Sequence, residues 1–187
     1  SKINISYILS QRAPNPSELF SEGLHHAIAR IELGDLRFKS EVGHKTSLTY
    51  SYNNKCLNFS INPFVNNIRD FILIEPIGLR ETIRGNFQVW EYRQTNAQLV
   101  GVDIDASYKI DNNFNITHQL SLVKGNDRIK NLPLINMPPV TTKNEISYSN
   151  EKLSNLKISL ESEYVFNQNE YPDNNFEVYI PTLEITE

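Results

Sequence analysis

One cysteine in 187 residues, Cys56, excludes an internal disulfide, and no metal-type cysteine spacing exists. No apolar run approaches the roughly 18 residues of a membrane-spanning helix. Helical periodicity is also missing, apart from a short turn expected at Ser17–Ser21, where Pro16 and Ser17 suit a helix start. Lys and Arg are scattered without a basic stripe and the net charge is -4, so no nucleic-acid partner is expected. There is no G-x-S-x-G, no Gly-rich phosphate loop and no H-E-x-x-H, and nothing orients the Ser and His residues present. Enzymatic activity is therefore not expected, and no resident cofactor is required. A secretory leader is lacking too. The chain opens directly in strand through Ile3, Ile5, Tyr7 and Leu9, as expected of a piece of a longer protein.

What the chain has instead is alternation. Val102, Ile104, Ala106, Tyr108 and Ile110 point one way, while Asp103, Asp105, Ser107 and Lys109 point the other. Period two of this kind is a long antiparallel strand with one oily and one wet face. Asparagine is in excess, with 23 residues, many of them in breakers: Asn53-Asn54, Asn112-Asn113, Asn150 and Asn174-Asn175. Asn tolerates left-handed backbone and bonds its own main chain, so these read as tight turns. Between them strands are expected at 2–9, 40–52, 57–75, 89–110, 115–124, 140–149, 156–167 and 176–186.

Two objects fit an all-β antiparallel up-and-down meander of about eight such strands. One is a soluble β-sandwich or small barrel that binds an apolar ligand or a protein partner on its oily side. The other is a piece of a transmembrane barrel, with lipid outside and water inside. Mean hydropathy of -0.43 does not choose, because half of the strand residues of a membrane barrel face water. Connection lengths favour the membrane. Asn53–Cys56, Asp111–Phe114 and Asn150–Asn155 are short, whereas Leu9–Lys39, Pro76–Gln88 and Gly125–Pro139 are long. Short turns at one end and long loops at the other mark an outer-membrane barrel.

Four segments carry a family resemblance. Arg12 to Gly23 reads R-A-P-N-P-S-E-L-F-S-E-G, Ile68 to Ile72 reads I-R-D-F-I, Tyr92 to Asp103 reads Y-R-Q-T-N-A-Q-L-V-G-V-D, and Leu132 to Pro139 reads L-P-L-I-N-M-P-P. In this order they resemble the C-terminal barrel half of TonB-dependent outer-membrane receptors. Gln94 and Asp103 depart from the Asn and Glu of that pattern, and the last segment has one extra residue. The likeness runs from about Lys2 to Phe166 and makes residues 1–187 part of a barrel of roughly 22 strands plugged by an N-terminal domain. It implies residence in the outer membrane of a Gram-negative bacterium, contact with lipid, and coupling to the TonB complex through a plug not included here. It also implies import of a scarce small ligand: a metal ion, a metal chelate or haem. The motif residues have architectural readings as well. Pro138-Pro139 stiffens a loop base, Gly101 permits a bulge or close packing, and Asn96 bonds backbone at a strand irregularity.

The S-E-G-L-H-H form of the first long connection resembles a zinc and metal-uptake branch of these receptors. Glu22, His25 and His26 are therefore candidate metal ligands, since imidazole and carboxylate suit such ions. The plainer reading is a pair of loop histidines packed on the rim. Asp103, Asp105, Glu161 and Glu163 are expected to face the lumen, either solvated or holding the plug. His44 and His118 fall on strands, where satisfied or interfacial histidines are usual. Tyr50, Tyr52, Trp90 and Tyr92 suit an interfacial girdle in a membrane barrel, or core in a soluble one.

Overall fold

The computed structural model describes residues 1–172; the strand expected at 176–186 lies outside them. Seven strands form the wall: β1 (Lys2–Arg12), β4 (Glu41–Asn53), β5 (Leu57–Thr82), β6 (Gly85–Lys109), β7 (Phe114–Asp127), β9 (Thr141–Asn150) and β10 (Leu156–Val165). They lie side by side in that order, each antiparallel to the next. Within the first long connection sit helix α1 (Pro16–Phe20), β2 (Glu22–His25), a 3-10 turn (His26–Ile28) and β3 (Arg30–Leu33). Strand β3 pairs with β2 and runs parallel to β6 at Gln88–Glu91. The two-residue β8 (Leu132–Pro133) pairs with the end of β7.

All described strands belong to one sheet, and β1 and β10 do not pair with each other, so the sheet is open. A sandwich would need a second sheet over the oily face, and a small barrel would need the two edges joined. Neither is present among the described residues. The few buried apolar residues, including Ile31, Ile72, Leu73, Val89, Ala97 and Leu134, lie toward the end of the sheet that carries the long connections.

The short turns are built by side chains. Asn54 Oδ1 accepts from the Cys56 and Leu57 amides at 2.8 and 2.7 Å, Asp111 Oδ1 from Asn113 and Phe114, and Asn150 Oδ1 from Lys152. Left-handed backbone is used by Asn131, Asn136 and Asn155.

One connection differs from expectation. The segment 76–88 is no loop: β5 and β6 stay paired as far as Thr82 opposite Gly85. Pro76 does not end β5, because the register slips between Pro76 and Gly78 and absorbs its missing N–H. The hairpin thus rises far above the wall. At about 3.3 Å per residue, the 26 residues of β5 are more than twice the 9–11 or so that a membrane crossing takes.

Candidate functional site

Register sorts the wall into two faces. Asp103 and Asp105 share theirs with Thr49, Ser60, Asn62, Gln119, Ser121, Lys143 and Glu163, lining an open trough of about 570 Å³. Its acids are tied across strands. Ser121 donates to Asp103 at 2.8 Å, the Gln119 amide donates to Asp105 at 3.1 Å, and Lys143 pairs with Glu161 at 2.9 Å. Gly101 on the same face serves close packing rather than a bulge. A Cβ there would sit 2.6 Å from the Leu122 carbonyl oxygen and from the Phe64 ring.

The opposite face is apolar and uncovered. Even on central strands Val65, Val100 and Ile116 remain 39, 37 and 37 % exposed. The band of apolar residues also slides along the register. It spans Ile3–Leu9 on β1, Leu57–Val65 on β5, Val100–Tyr108 on β6, Phe114–Leu122 on β7 and Leu156–Leu160 on β10. Carried through the pairings, its midpoint moves from the level of Gly101 to that of Ile110. That is about nine residues, or ~30 Å, across six strand spacings of about 4.8 Å, a slope of roughly 45°. A flat belt around a closed barrel traces such a diagonal when strands tilt by about 35–45°.

Above the band the family-like motifs build two ionic clasps. Arg12 bridges Glu41 and Glu18: its Nε and Nη2 donate to Glu41 at 2.7 and 2.6 Å, and its Nη1 donates to Glu18 at 3.0 Å. Asn15 caps α1 by accepting from the Glu18 amide, while Glu18 accepts from the Asn15 amide, a reciprocal capping box. The helix begins at Pro16, as the sequence suggested, with Asn15 as its cap. Gly34 lets the chain close on this helix, since a Cβ would lie 2.7 Å from the Glu18 carbonyl oxygen. Replacing Asn15 by Ala is expected to cost about 0.5–2 kcal/mol locally. Faster hydrogen exchange confined to residues 16–21 would register it.

The second clasp centres on Arg93, which pairs with Glu75 and donates to Asp127 at 2.7 Å. Lys130 also reaches Glu75, at 2.9 Å. Asp127 accepts further bonds from the Thr95 hydroxyl at 2.6 Å and from the Ile129 and Lys130 amides. Burial opposes its charge, but these donors outweigh burial and hold the Asp127 carboxyl down at about 2. Between the clasps Gln94 and Asn96 secure the bulge at Arg69-Asp70. Gln94 exchanges hydrogen bonds with the Lys39 backbone and donates to the Asp70 carbonyl, and Asn96 lies opposite the bulge with its Oδ1 3.4 Å from the Asp70 amide. Gln94, one of the two residues that depart from the family pattern, thus still bonds the backbone there.

The sequence pointed to none of the clasp partners except through the motif letters. Near Glu75 and Asp127, Leu73, Ala97 and Leu99 pack with Leu134 and Met137 of the L-P-L-I-N-M-P-P loop. Beside this packing lies an apolar cleft of about 490 Å³ lined by Phe71, Leu73, Tyr92, Leu134 and Met137, among others.

Glu22 and His25 are exposed on β2, and His26 opens the exposed 3-10 turn that follows. Among the described residues no three His, Cys, Asp or Glu side chains gather closely enough to hold a metal ion. His44 bonds the Tyr7 hydroxyl at 2.7 Å and His118 bonds Asn144 at 2.7 Å. Tyr50 and Tyr52 stand on the apolar face, Tyr50 near Phe59. Trp90 and Tyr92 belong to the raised hairpin, where Arg30 of β3 stacks 4.7 Å from the Trp90 ring.

An open antiparallel wall with one polar and one slanted apolar face is a sector of an up-and-down β-barrel. The chain belongs to the family described as TonB dependent receptor-like, beta-barrel, which matches residues 2–183. Similar solved structures include "Copper transporter OprC", at 20% identity and TM-score 0.65, covering 80% of this chain and 22% of that one. They also include two variants of the FrpB iron transporter from Neisseria meningitidis, F3-3 and F5-1. Both are 18% identical, with TM-scores of 0.57 and 0.58, and each alignment covers 87% of this chain and 24% of that one. The chain thus spans about a quarter of the length of these structures. No curated protein matches.

Proposed function

We propose that the chain is barrel wall of an outer-membrane receptor of a Gram-negative bacterium that imports a scarce ligand under TonB control. The observation that carries this is the slanted belt: an uncovered apolar band, sloped as tilted barrel strands require, backs a hydrogen-bonded polar trough. On this reading the belt meets lipid, and Asp103, Asp105, Glu161 and Glu163 face the lumen. The short turns are periplasmic, and the clasps and raised hairpin stand outside the cell. Coupling to TonB runs through a plug outside this chain. The protein is a receptor for transport, not an enzyme, and needs no resident cofactor.

For the cargo we propose a metal ion, metal chelate or haem. The related structures are titled as copper and iron transporters, which supports a metal cargo. The apolar cleft at Phe71, Tyr92 and Met137 suits the organic part of a chelate. His25, His26 and Glu22 supply exposed donors for the metal on the outer loop.

The full-length protein is expected to fractionate with outer membranes and to take up the cargo only in cells with a working TonB. Residence in the soluble fraction would sink the proposal. The His25→Ala/His26→Ala variant is expected to bind metal at least tenfold more weakly by titration. Unchanged affinity and uptake would remove the histidines from the site.

A further inference from the structure

We propose that Arg69, Lys124 and Arg128 form a seat for the phosphate groups of a glycolipid in the outer leaflet, a reading that rests on the apolar belt facing lipid. Charge on the wall is sorted by face. Register and alternation put every Asp and Glu of the wall strands below the Arg69-Asp70 bulge on the trough side. The apolar face of those strands holds no carboxylate, and its cations stand at one end only. Arg69 shares that face with Val42 and Asn67, and Lys124 shares it with Val100 and Leu122. Arg128 follows Asp127, which faces the trough. At the end with the short turns the same face finishes in Tyr52, Tyr108, Phe114 and Tyr148.

The heights of the three cations fit a headgroup layer. Lys124 is two residues above Leu122, the top of the band on β7, and Arg128 is six above it. Arg69 is four residues above Val65, the top of the band on β5. With strands tilted near 45°, these become roughly 5 Å for Lys124, 9 Å for Arg69 and 14 Å for Arg128. Headgroups of an ordinary bilayer occupy about 5–8 Å beyond the hydrocarbon, and the sugars of a glycolipid extend further. Long basic side chains also lean toward the layer that suits their charge.

The groups are available. Arg69 and Arg128 are exposed, and their guanidinium groups have no carboxylate partner among the described residues. Lys124 pairs with Glu170, but both are about half exposed, and a pair of that kind is worth little. Asp70, at the bulge, is the other carboxylate near the seat in sequence. Arg69 and Arg128 both lie opposite Asn96, two strand spacings or about 10 Å apart. Beneath them Asn67, Gln98 and Asn126 share one row of the register. Gln98 donates to Asn67 at 2.8 Å, while the exposed Asn126 amide has no bond among the described residues.

A phosphorylated glycolipid matches all three layers. Its acyl chains lie against Val65 and Leu122, its phosphates meet the cations, and its sugar hydroxyls meet the amides. Guanidinium binds phosphate through two parallel bonds. A soluble anion has nothing for the apolar band, and a simple phospholipid has no sugars for the amide row.

The test uses the full-length receptor, delipidated in detergent and returned to phosphatidylcholine vesicles. The vesicles carry bisphosphorylated lipid A, dephosphorylated lipid A or phosphatidylglycerol. After re-extraction the lipid retained per receptor is counted by mass spectrometry. Bisphosphorylated lipid A is expected to be retained at least fivefold more than either other lipid. Arg69→Gln/Arg128→Gln is expected to lower that retention at least fivefold, and Arg69→Lys/Arg128→Lys to keep most of it. Lys55→Gln/Lys109→Gln, at the opposite end of the wall, is expected to change nothing. Equal retention of either other lipid, no loss in the Arg→Gln pair, or an equal loss in the Lys55/Lys109 control would each overturn the seat. Outer-membrane fractionation and heat-modifiable migration in cells are scored for the same proteins. An inserted barrel without selective retention defeats only the seat, whereas a wild type that fails to insert defeats the lipid-facing reading itself.

Discussion

Arg93→Met is expected to release the 128–139 loop from the β5–β6 hairpin at a cost of about 3 kcal/mol, the low end for breaking a buried ion pair. The low end applies because Arg93 keeps 22 % of its side chain in contact with water and because Lys130 continues to serve Glu75. What remains is the Asp127 carboxylate, 1 % exposed, without its guanidinium. Protease nicking of the loop on intact cells, with hydrogen exchange at 128–139, measures the release. A triple change of Arg93, Glu75 and Asp127 to apolar residues of similar size is expected to recover much of the loss, since no buried charge is then left alone. Equal protease resistance in wild type and Arg93→Met would deny the clasp its role. Acid is expected to act on the same point. The folded Asp127 carboxyl titrates at about 2, below the ordinary aspartate value of about 3.9. Its contribution is therefore whole above about pH 4 to 5 and lost as pH falls toward 2, so loop protection should decline in that window.

The clasps show why part of the site was hidden in the letters. Period two places each residue on a face, and the Asn-rich turns fix where strands reverse, so the polar trough of Asp103, Asp105, Gln119 and Ser121 was largely legible. Asn96 was legible too, as a side chain able to bond backbone at an irregular strand. The clasps depend on which strands become neighbours and on the residue-by-residue register. Arg93 meets Asp127 across 34 positions, and Arg12 meets Glu41 across 29. No local pattern encodes that separation. The raised hairpin was misjudged for a different reason. Pro76 and Gly78 look like loop residues, and only the register slip opposite Trp90 and Val89 shows that the ladder passes them. The first long connection was readable as long, but its partner was not. Strand β3 adds to β6 in parallel, and parallel pairing between distant segments carries no turn signal of its own.

Ile104→Arg is expected to destabilise the intact barrel by about 2–4 kcal/mol, the cost of a guanidinium on the lipid face near the bilayer midplane. Ile104 is the middle residue of the Val100–Tyr108 run, flanked across the sheet by Ile61 and Leu120. Asp103→Arg, one residue away and on the other face, makes the comparison. Its side chain enters the trough beside Ser121, where the lost hydrogen bond and the changed charge are screened by water, so a change under about 1 kcal/mol is expected. The two substitutions alter the same strand and add the same side chain, one towards the trough and one towards the apolar face. Urea unfolding of the full-length receptor in lipid vesicles separates them. A large loss for Ile104→Arg beside a small one for Asp103→Arg places lipid on the apolar side. Equal losses, or the reverse order, would mean that the slanted belt is not the membrane face, and the import function argued from it would fall as well.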